Sequence, residues 1–225
     1  KQKQIDDFDV MINLLHNPDE PLSYLLLKML EESNIPVINS LNASIHTKSK
    51  PLMLQRLNSD GIDTPKSVVI GKNYNLDSII EFLGGFPIIL KTPYGSMGIG
   101  VSICESKRSL QSVIQTLIPQ VQLLILQEFF QESAGTDFKI IATQEQIICS
   151  FKRQAISPNE FRANVALGGI ATPILIDEEM ALLAKRVIKS LGLVVGSVDI
   201  LHSRRGYLVI DVNDLPELNL SFNQV

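Results

Sequence analysis

The chain has 225 residues, 45% of them hydrophobic and 20% charged, with a formal net charge of −4. That balance excludes a disordered, collagenous or low-complexity chain. It also excludes a dedicated duplex-DNA binder, which needs a large basic excess. At this length roughly 70% of the unfolded chain's surface is buried on folding, enough for a core without disulfide or metal staples. Cys104 and Cys149 stand alone in apolar, strand-like runs, and His16, His46 and His202 are scattered, so neither a disulfide framework nor a zinc site is read. Polar Lys1–Asp7 has no apolar signal core, and no run nears the roughly 18 apolar residues of a membrane span. The reading is a reducing cytoplasm and no membrane partner. The chain opens on Lys1 rather than Met and closes at Val225 after the loop-like stretch Asn213–Leu220, so further residues are expected beyond both ends.

Phe8–Leu15 reads as a buried strand followed by the turn Asn17-Pro18-Asp19. Pro21–Ser33 sets Leu22, Leu25, Leu26, Met29 and Leu30 at helical spacing, with Pro21 tolerated in the first turn. Ile35–Ile38 follows as a second short strand, and strand, helix, strand at this spacing is a parallel crossover unit. Lys50–Asp60 reads as a helix closed by Gly61, Ser67–Ile70 as a strand and Leu76–Leu83 as a short helix. After Gly84-Gly85 come strands at Phe86–Lys91, Gly98–Cys104, Leu123–Phe129, Asp137–Ala142 and Gln146–Lys152, with Lys107–Ile118 the one helical stretch among them. Asp177–Leu191 is an amphipathic helix ending at Gly192, and Val194–Leu201 pairs with Tyr207–Val212 around the turn Arg204-Arg205-Gly206. There is no repeat and no Gly-, Ser- or Pro-rich linker. A boundary near residues 45–50 divides a parallel α/β unit from a mostly antiparallel α+β body.

Gly95-Ser96-Met97-Gly98-Ile99-Gly100-Val101 is the first segment that carries chemistry. No helix follows it and no GxxxxGK[ST] is present, so neither a dinucleotide fingerprint nor a P-loop is met. A glycine loop between two antiparallel strands can still fold over a triphosphate, because its backbone N–H groups approach where a Cβ would block them. Protein kinases use that device with a lysine on a nearby strand, and Lys91 is so placed; the loop alone also fits a plain hairpin turn. Gln127-Glu128-Phe129-Phe130 closes a strand, either as an interdomain hinge whose backbone meets adenine or as an ordinary strand end. Asp199 lies in the apolar run Val198-Asp199-Ile200, and Asp211 and Asn213 alternate onto one face of the next strand. Three oxygen-bearing side chains converging on paired strands suit a hard cation such as Mg²⁺ bound with phosphates, the other reading being a solvated acidic face. Lys50, Lys91, Lys139, Arg153 and Arg162 stand isolated in the sequence. A buried cation needs an anionic partner, whereas any one of these alone reads as a snorkelling surface residue.

Together these segments resemble the ATP-grasp superfamily and, within it, the RimK-type amino-acid and peptide ligases. The resemblance runs from about Phe8 to Leu218. It is carried by FPIILKTPYGSMGIGV (86–101), LQEFF (126–130), GTDFK (135–139), KR (152–153), FRAN (161–164), GG (168–169) and VGSVDIL…YLVIDVN (195–213) in matching order and spacing. It implies ATP held between two α+β subdomains, a lid of about 65–127 and a metal-binding part of about 128–225, behind residues 1–45 as the last part of a parallel pre-ATP-grasp domain. Lys50 and Lys91 resemble the two nucleotide lysines, Gly95 to Gly100 (with Ser96, Met97, Gly98 and Ile99) the phosphate loop, and Gln127, Glu128, Phe129 and Phe130 the adenine hinge. Asp137 falls on the ribose or substrate side, with Lys139 two residues on. Arg153 matches the first of a pair of arginines, Arg162 and Asn164 the F-R-S-N residues that face the γ-phosphate and acceptor, and Asp199, Asp211 and Asn213 the D…E-x-N metal triad.

The departures are Asp211 for glutamate, Gln154 for the second arginine, Lys139 for arginine, and Asp214-Leu215-Pro216-Glu217 after Asn213 in place of a small residue, then x-Pro-Gly. The resemblance implies an ATP- and Mg²⁺-dependent carboxylate–amine ligase working through an acyl phosphate, with Mn²⁺ as an alternative cation. Its substrates would be small carboxylates and amines, or a peptide or protein tail, and family members often form dimers or tetramers. Two alternatives share the scaffold: a kinase with a hydroxyl acceptor, and a nucleotide-binding module without turnover.

Overall fold

Period-two alternation in the strands sorts the chain into two cores, one on each side of the hinge near residue 130. The computed structural model describes residues 9–14, 21–33, 35–95 and 97–216. Phe8, Leu15, the turn Asn17-Pro18-Asp19, Ser96 and residues 217–225 lie outside the described residues. The first sheet joins β3 (Ser67–Ile70), β4 (Ile88–Lys91), β5 (Val101–Cys104) and β6 (Leu124–Glu128) in the order β3-β6-β4-β5, antiparallel throughout. Leu124 and Leu126 of the central strand pack with Leu83 of α4 (Leu76–Leu83) and Leu110 and Ile114 of α5 (Lys107–Val121). Ile125, between them, points the other way and joins the second core. Local signals set the helix ends. Asn75 Oδ1 accepts from Ser78 N at 3.2 Å to start α4, and Gly84 ends it at φ +89°.

The second sheet joins β7 (Thr136–Thr143), β8 (Ile147–Gln154), β9 (Ile170–Pro173), β10 (Val195–Ser203) and β11 (Gly206–Asn213) in the antiparallel order β11-β10-β7-β8-β9. Ile140, Ala142, Val198, Ile200 and Val212 face Met53 and Leu57 of α3 (Lys50–Ser59) and Ala184, Val187 and Ile188 of α6 (Glu178–Ser190). Residues one position out of phase with that core lie on the opposite face of the same strands. They are Asp137 and Lys139 on β7, Arg153 on β8, Asp199 on β10 and Asp211 on β11. Register then sets Asp137 opposite Arg153, and Asp199 between Lys139 and Asp211.

At the N-terminal end, β1 (Met11–Ile12) and β2 (Val37–Ile38) pair in parallel around α1 (Pro21–Glu32), the crossover read from the sequence. Asn39 fastens this unit to the second sheet. Its Nδ2 donates to Val195 O at 2.7 Å and Asp214 O at 2.6 Å, and its Oδ1 accepts from Val194 N at 2.8 Å. Two elements escape the sequence reading. Helix α2 (Leu41–Lys48) buries Ser44 and Thr47 beside Leu41 and Ala43, so its buried face has no apolar period. Strand β9 is a short edge strand after Gly168-Gly169 and includes Pro173, which only an edge tolerates. The first strand is shorter than expected, and β5 begins at Val101 rather than Gly98 because Gly98 and Gly100 both sit at φ +77°. Among the described residues no helix is long and apolar enough to cross a membrane.

Leu126 is fully buried in the central strand of the first sheet. Leu126→Ala should destabilise the protein by about 2–5 kcal/mol, read as a lower urea midpoint at unchanged slope.

Candidate active site

The polar face of the second sheet and one end of the first enclose a cleft. Lys50, Lys91, Gly95, Gly98, Ile99, Gln127, Glu128, Phe129, Phe130, Asp137, Arg153, Arg162, Asn164, Asp199 and Asp211 all line it. Met97 and Gly100 belong to the glycine loop at its edge, Lys139 lies behind Asp199, and Asn213 ends β11 two residues beyond Asp211. Phe161, Ser133, Ala134, Thr136 and Pro65 also line the cleft and were not singled out from the sequence. Only a resemblance or a contact map would have found them, since none bears a distinctive group.

Arg153 is the centre of the site. Its Nε and Nη2 donate to Asp137 Oδ1 and Oδ2 at 2.6 and 2.7 Å, and Nη2 also donates to Asp199 Oδ2 at 2.8 Å. Lys139 Nζ reaches Asp199 Oδ1 at 3.2 Å. Lys50 Nζ donates to Asp211 Oδ1 at 2.8 Å. The basic residues that stand apart in the sequence are thus gathered in space, and the surface reading is corrected for Lys50, Lys139 and Arg153, which are 7%, 4% and 3% exposed. Of the three residues read either as a cation set or as a solvated acidic face, Asp199 is buried, whereas Asp211 and Asn213 are partly exposed. Burial alone would push the Asp199 carboxyl up, but Arg153 and Lys139 outweigh it and hold the group below its ordinary range.

Arg162 organises the mouth. Glu160 grips it through Nε–Oε1 at 2.9 Å and Nη2–Oε2 at 2.8 Å, while Nη1 donates to Gly98 O at 3.0 Å in the glycine loop. The loop is wound tightly enough to require its glycines. A Cβ on Gly98 would meet Asn164 Oδ1 at 2.8 Å, and one on Gly100 would meet Thr92 Oγ1 at 2.2 Å. Phe161 stacks edge-on to Phe129 with centroids 6.4 Å apart, joining this segment to the hinge. In the hinge itself, Gln127 Nε2 donates to Ser67 Oγ at 2.8 Å, and Glu128 accepts from Lys66 N at 2.6 Å and from Arg205. The Arg205 guanidinium also covers the Phe130 ring at 5.2 Å.

Every cation described so far is paired with a carboxylate. Lys91 is the exception, having no ion-pair partner among the described residues. Burial and the neighbouring Lys50 push its ammonium down to about 8, against the pull of Asp211 and Asp199. The charge of an anion entering the cleft would offset both effects.

The donor set also fits a magnesium ion. Asp199 and Asp211 face each other in register on β10 and β11, and Asn213 adds an amide oxygen on the same side of β11. Among the described residues no three His, Cys, Asp or Glu side chains form a complete cage. One or two carboxylates completed by substrate phosphates is how Mg²⁺ is commonly held.

Two antiparallel α+β layers closing on a lysine-bearing cleft under a glycine loop make up the ATP-grasp fold. The D-alanine–D-alanine ligase of Bacillus anthracis, solved with ATP, superposes with a TM-score of 0.76 over 95% of this chain and 70% of that one, at 20% identity. The ATP-grasp ligase PsnB, solved with a minimal precursor, Mg and ADP, gives 0.65 over 85% of this chain and 59% of that one, at 23% identity. A family model described as the RimK-like ATP-grasp domain matches residues 47–224. A probable alpha-L-glutamate ligase of Pasteurella multocida is 34% identical over 95% of this chain and 68% of its own length. The chain belongs to the RimK-like ATP-grasp family and is an ATP-dependent ligase by that membership.

Removing Arg153 strands the buried Asp137 carboxylate and leaves Asp199 with Lys139 alone. Arg153→Met should therefore cost about 3–5 kcal/mol in urea unfolding, far more than a surface arginine. A loss below about 1 kcal/mol would place the pair in solvent-screened surroundings.

Proposed function

We propose that this chain is an ATP- and Mg²⁺-dependent carboxylate–amine ligase that works through an acyl phosphate, adding an amino acid to a peptide, a protein tail or a small metabolite. The observation that carries this reading is Lys91, an unpaired and partly desolvated ammonium at the end of β4, directly before the glycine loop. The triphosphate would lie along Lys91, Lys50 and the loop amides, with the adenine against the hinge from Gln127 to Phe130 and the ribose toward Asp137. A substrate carboxylate oxygen forms a bond to the γ-phosphorus as the bridging bond breaks, and ADP leaves. An amine nitrogen then attacks the acyl carbon, the carbon–oxygen bond to phosphate breaks, and the amine gives up a proton to solvent. Holding both reactants in one cleft is an orientation effect. Arg162 and Asn164, facing the loop, stabilise the transferring phosphoryl group and the oxyanion of the tetrahedral intermediate. Arg153 and Lys139 keep Asp199 ionised and in place. Mg²⁺ held by Asp199, Asp211 and Asn213 would neutralise charge on the β- and γ-phosphates.

The names of similar proteins bear on the substrate without deciding it. The Pasteurella relative is named for glutamate and PsnB was solved with a precursor, so an amino acid and a peptide are the first acceptors to try. A cytoplasmic location and a homo-oligomer are part of the same proposal. The deciding experiment is ATP turnover with Mg²⁺ against amino acids and short peptides, reading phosphate release and product mass together. Phosphate release with a mass gain of one amino acid less water is expected, and Asp199→Asn should abolish it. A gain of one phosphoryl group would make the protein a kinase, and nucleotide binding without release would make it a binding module.

Lys91 gives that binding a pH signature. The free ammonium titrates at about 8, and phosphate binding favours its charged form and so raises that value. Affinity for a non-hydrolysable ATP analogue should therefore be flat below pH 8 and fall above it, by at most about tenfold per pH unit. Calorimetry across that range reads the effect, and Lys91→Arg, whose guanidinium stays charged, should flatten the profile.

A further inference from the structure

Lys50 and Asp211 are the one ion pair of the cleft placed so that both partners are wanted elsewhere. The lysine stands at the start of α3 with its side chain 9% exposed, and Asp211, on the edge strand β11, is 24% exposed. Asp211 faces Asp199 across the strand pair, and an ammonium already occupies one of its oxygens at 2.8 Å. Lys50 is also close enough to Lys91 to help push that neighbour down.

We infer that Lys50 is a resident counter-ion. It holds Asp211 while the cleft is free of nucleotide, and yields it to a divalent cation only when a polyphosphate arrives to take the lysine. The inference rests on the nucleotide site proposed above and adds a coupling between metal and nucleotide that this chain's own residues impose.

The argument compares three ways of filling the cleft. A divalent cation arriving alone finds Oδ1 of Asp211 held by Lys50 and, in taking the whole carboxylate, displaces it. That leaves a buried ammonium beside Lys91 with no anion for either, the costly arrangement for a desolvated charge. A polyphosphate arriving alone brings its negative charge against Asp211 and Asp199, and draws Lys50 away from the first of them. When both arrive together, Asp211 exchanges an ammonium for the metal and Lys50 exchanges a carboxylate for phosphate. Every buried charge keeps a partner throughout that exchange.

Asp199 offers no such exchange, because Lys139 and Arg153 hold one oxygen each and both cations have side chains only 4% exposed. The gate is therefore Asp211, whose partner comes from a helix start rather than from within the sheet. A coupling of this kind is reciprocal, so nucleotide raises metal affinity by the factor by which metal raises nucleotide affinity.

The test uses Mn²⁺ as the probe, followed by the electron paramagnetic resonance signal of the free ion, with and without a non-hydrolysable ATP analogue. Wild-type protein should bind Mn²⁺ at least about tenfold more weakly without the analogue than with it, within the usual range of such couplings. Lys50→Gln, checked for folding by circular dichroism, should bind Mn²⁺ alone about tenfold or more tightly than wild type and lose most of the analogue's effect. Lys50→Arg, which keeps the cation, should follow wild type in the metal-alone titration. Equal Mn²⁺ affinity in wild type and Lys50→Gln, with the analogue still bound, would overturn the counter-ion role and leave the nucleotide site standing. Failure of wild type to bind the analogue even with Mn²⁺ would overturn both readings together. Should Lys50→Gln not fold, the wild-type titrations decide: equal Mn²⁺ affinity with and without the analogue defeats the inference.

Discussion

A single guanidinium, Arg153, ties together three neighbouring strands from inside the sheet. It reaches Asp137 on β7 through two hydrogen bonds and Asp199 on β10 through a third, from its own place on β8. The need for it follows from the architecture. The face of the second sheet turned from its helices forms one wall of the cleft, and Asp137, Lys139, Arg153 and Asp199 on it are buried. Charges in such a place are tolerated only when paired in good geometry. Arginine suits the central position because its planar fork engages a carboxylate with two donors and keeps another bond for a second acid. Lys139 supplies the remaining oxygen of Asp199 through a single, longer contact.

The same constraint shapes the cleft mouth. The glycine loop joins β4 to β5, carries three glycines at positive φ, and depends on Thr92 and Arg162 for its few fixed contacts. Arg162 is itself held by Glu160, which lies outside the cleft and is kept below its ordinary carboxylate range by that guanidinium. Arg162, which meets the glycine loop, is thus anchored from behind. The first sheet hangs from the second through β6, whose Ile125 is buried in the other core and whose last residue, Glu128, is caught by Arg205 of the β10–β11 turn. The two sheets are therefore joined at one strand end.

How much of this could be read from residues alone depends on range. Most of the strands other than β9, the glycine loop and the polar face of β10 and β11 were legible because period-two alternation and turn chemistry are local properties. Ser67–Ile70 and Leu76–Leu83 coincide with their elements for that reason. Helix α2 was not legible, since Ser44 and Thr47 bury polar groups where a helix normally shows apolar ones. The pairing of cations was not legible either. Lys50 meets Asp211 across 161 positions and Lys139 meets Asp199 across 60, and no local pattern marks such partners. Each basic residue considered singly looks like a surface residue. Only register, which sets β7 between β8 and β10, turns four scattered charges, Asp137, Lys139, Arg153 and Asp199, into one network.

That network also bears on the departures from the family pattern. Asp211 is one methylene shorter than the glutamate the resemblance leads one to expect, yet Lys50 meets it at 2.8 Å, so the shorter acid is matched by its own partner rather than left out of reach. Lys139 replaces a two-donor fork by a point charge, and Arg153 takes the bidentate role one strand over, on Asp137. Lys139 and Asp211 thus both stand in direct ion pairs within the cleft. Among the described residues that line the cleft, Lys91 is the one cation without an ion-pair partner. Such a site favours a ligand that brings both signs at once, as a polyphosphate with its cation does.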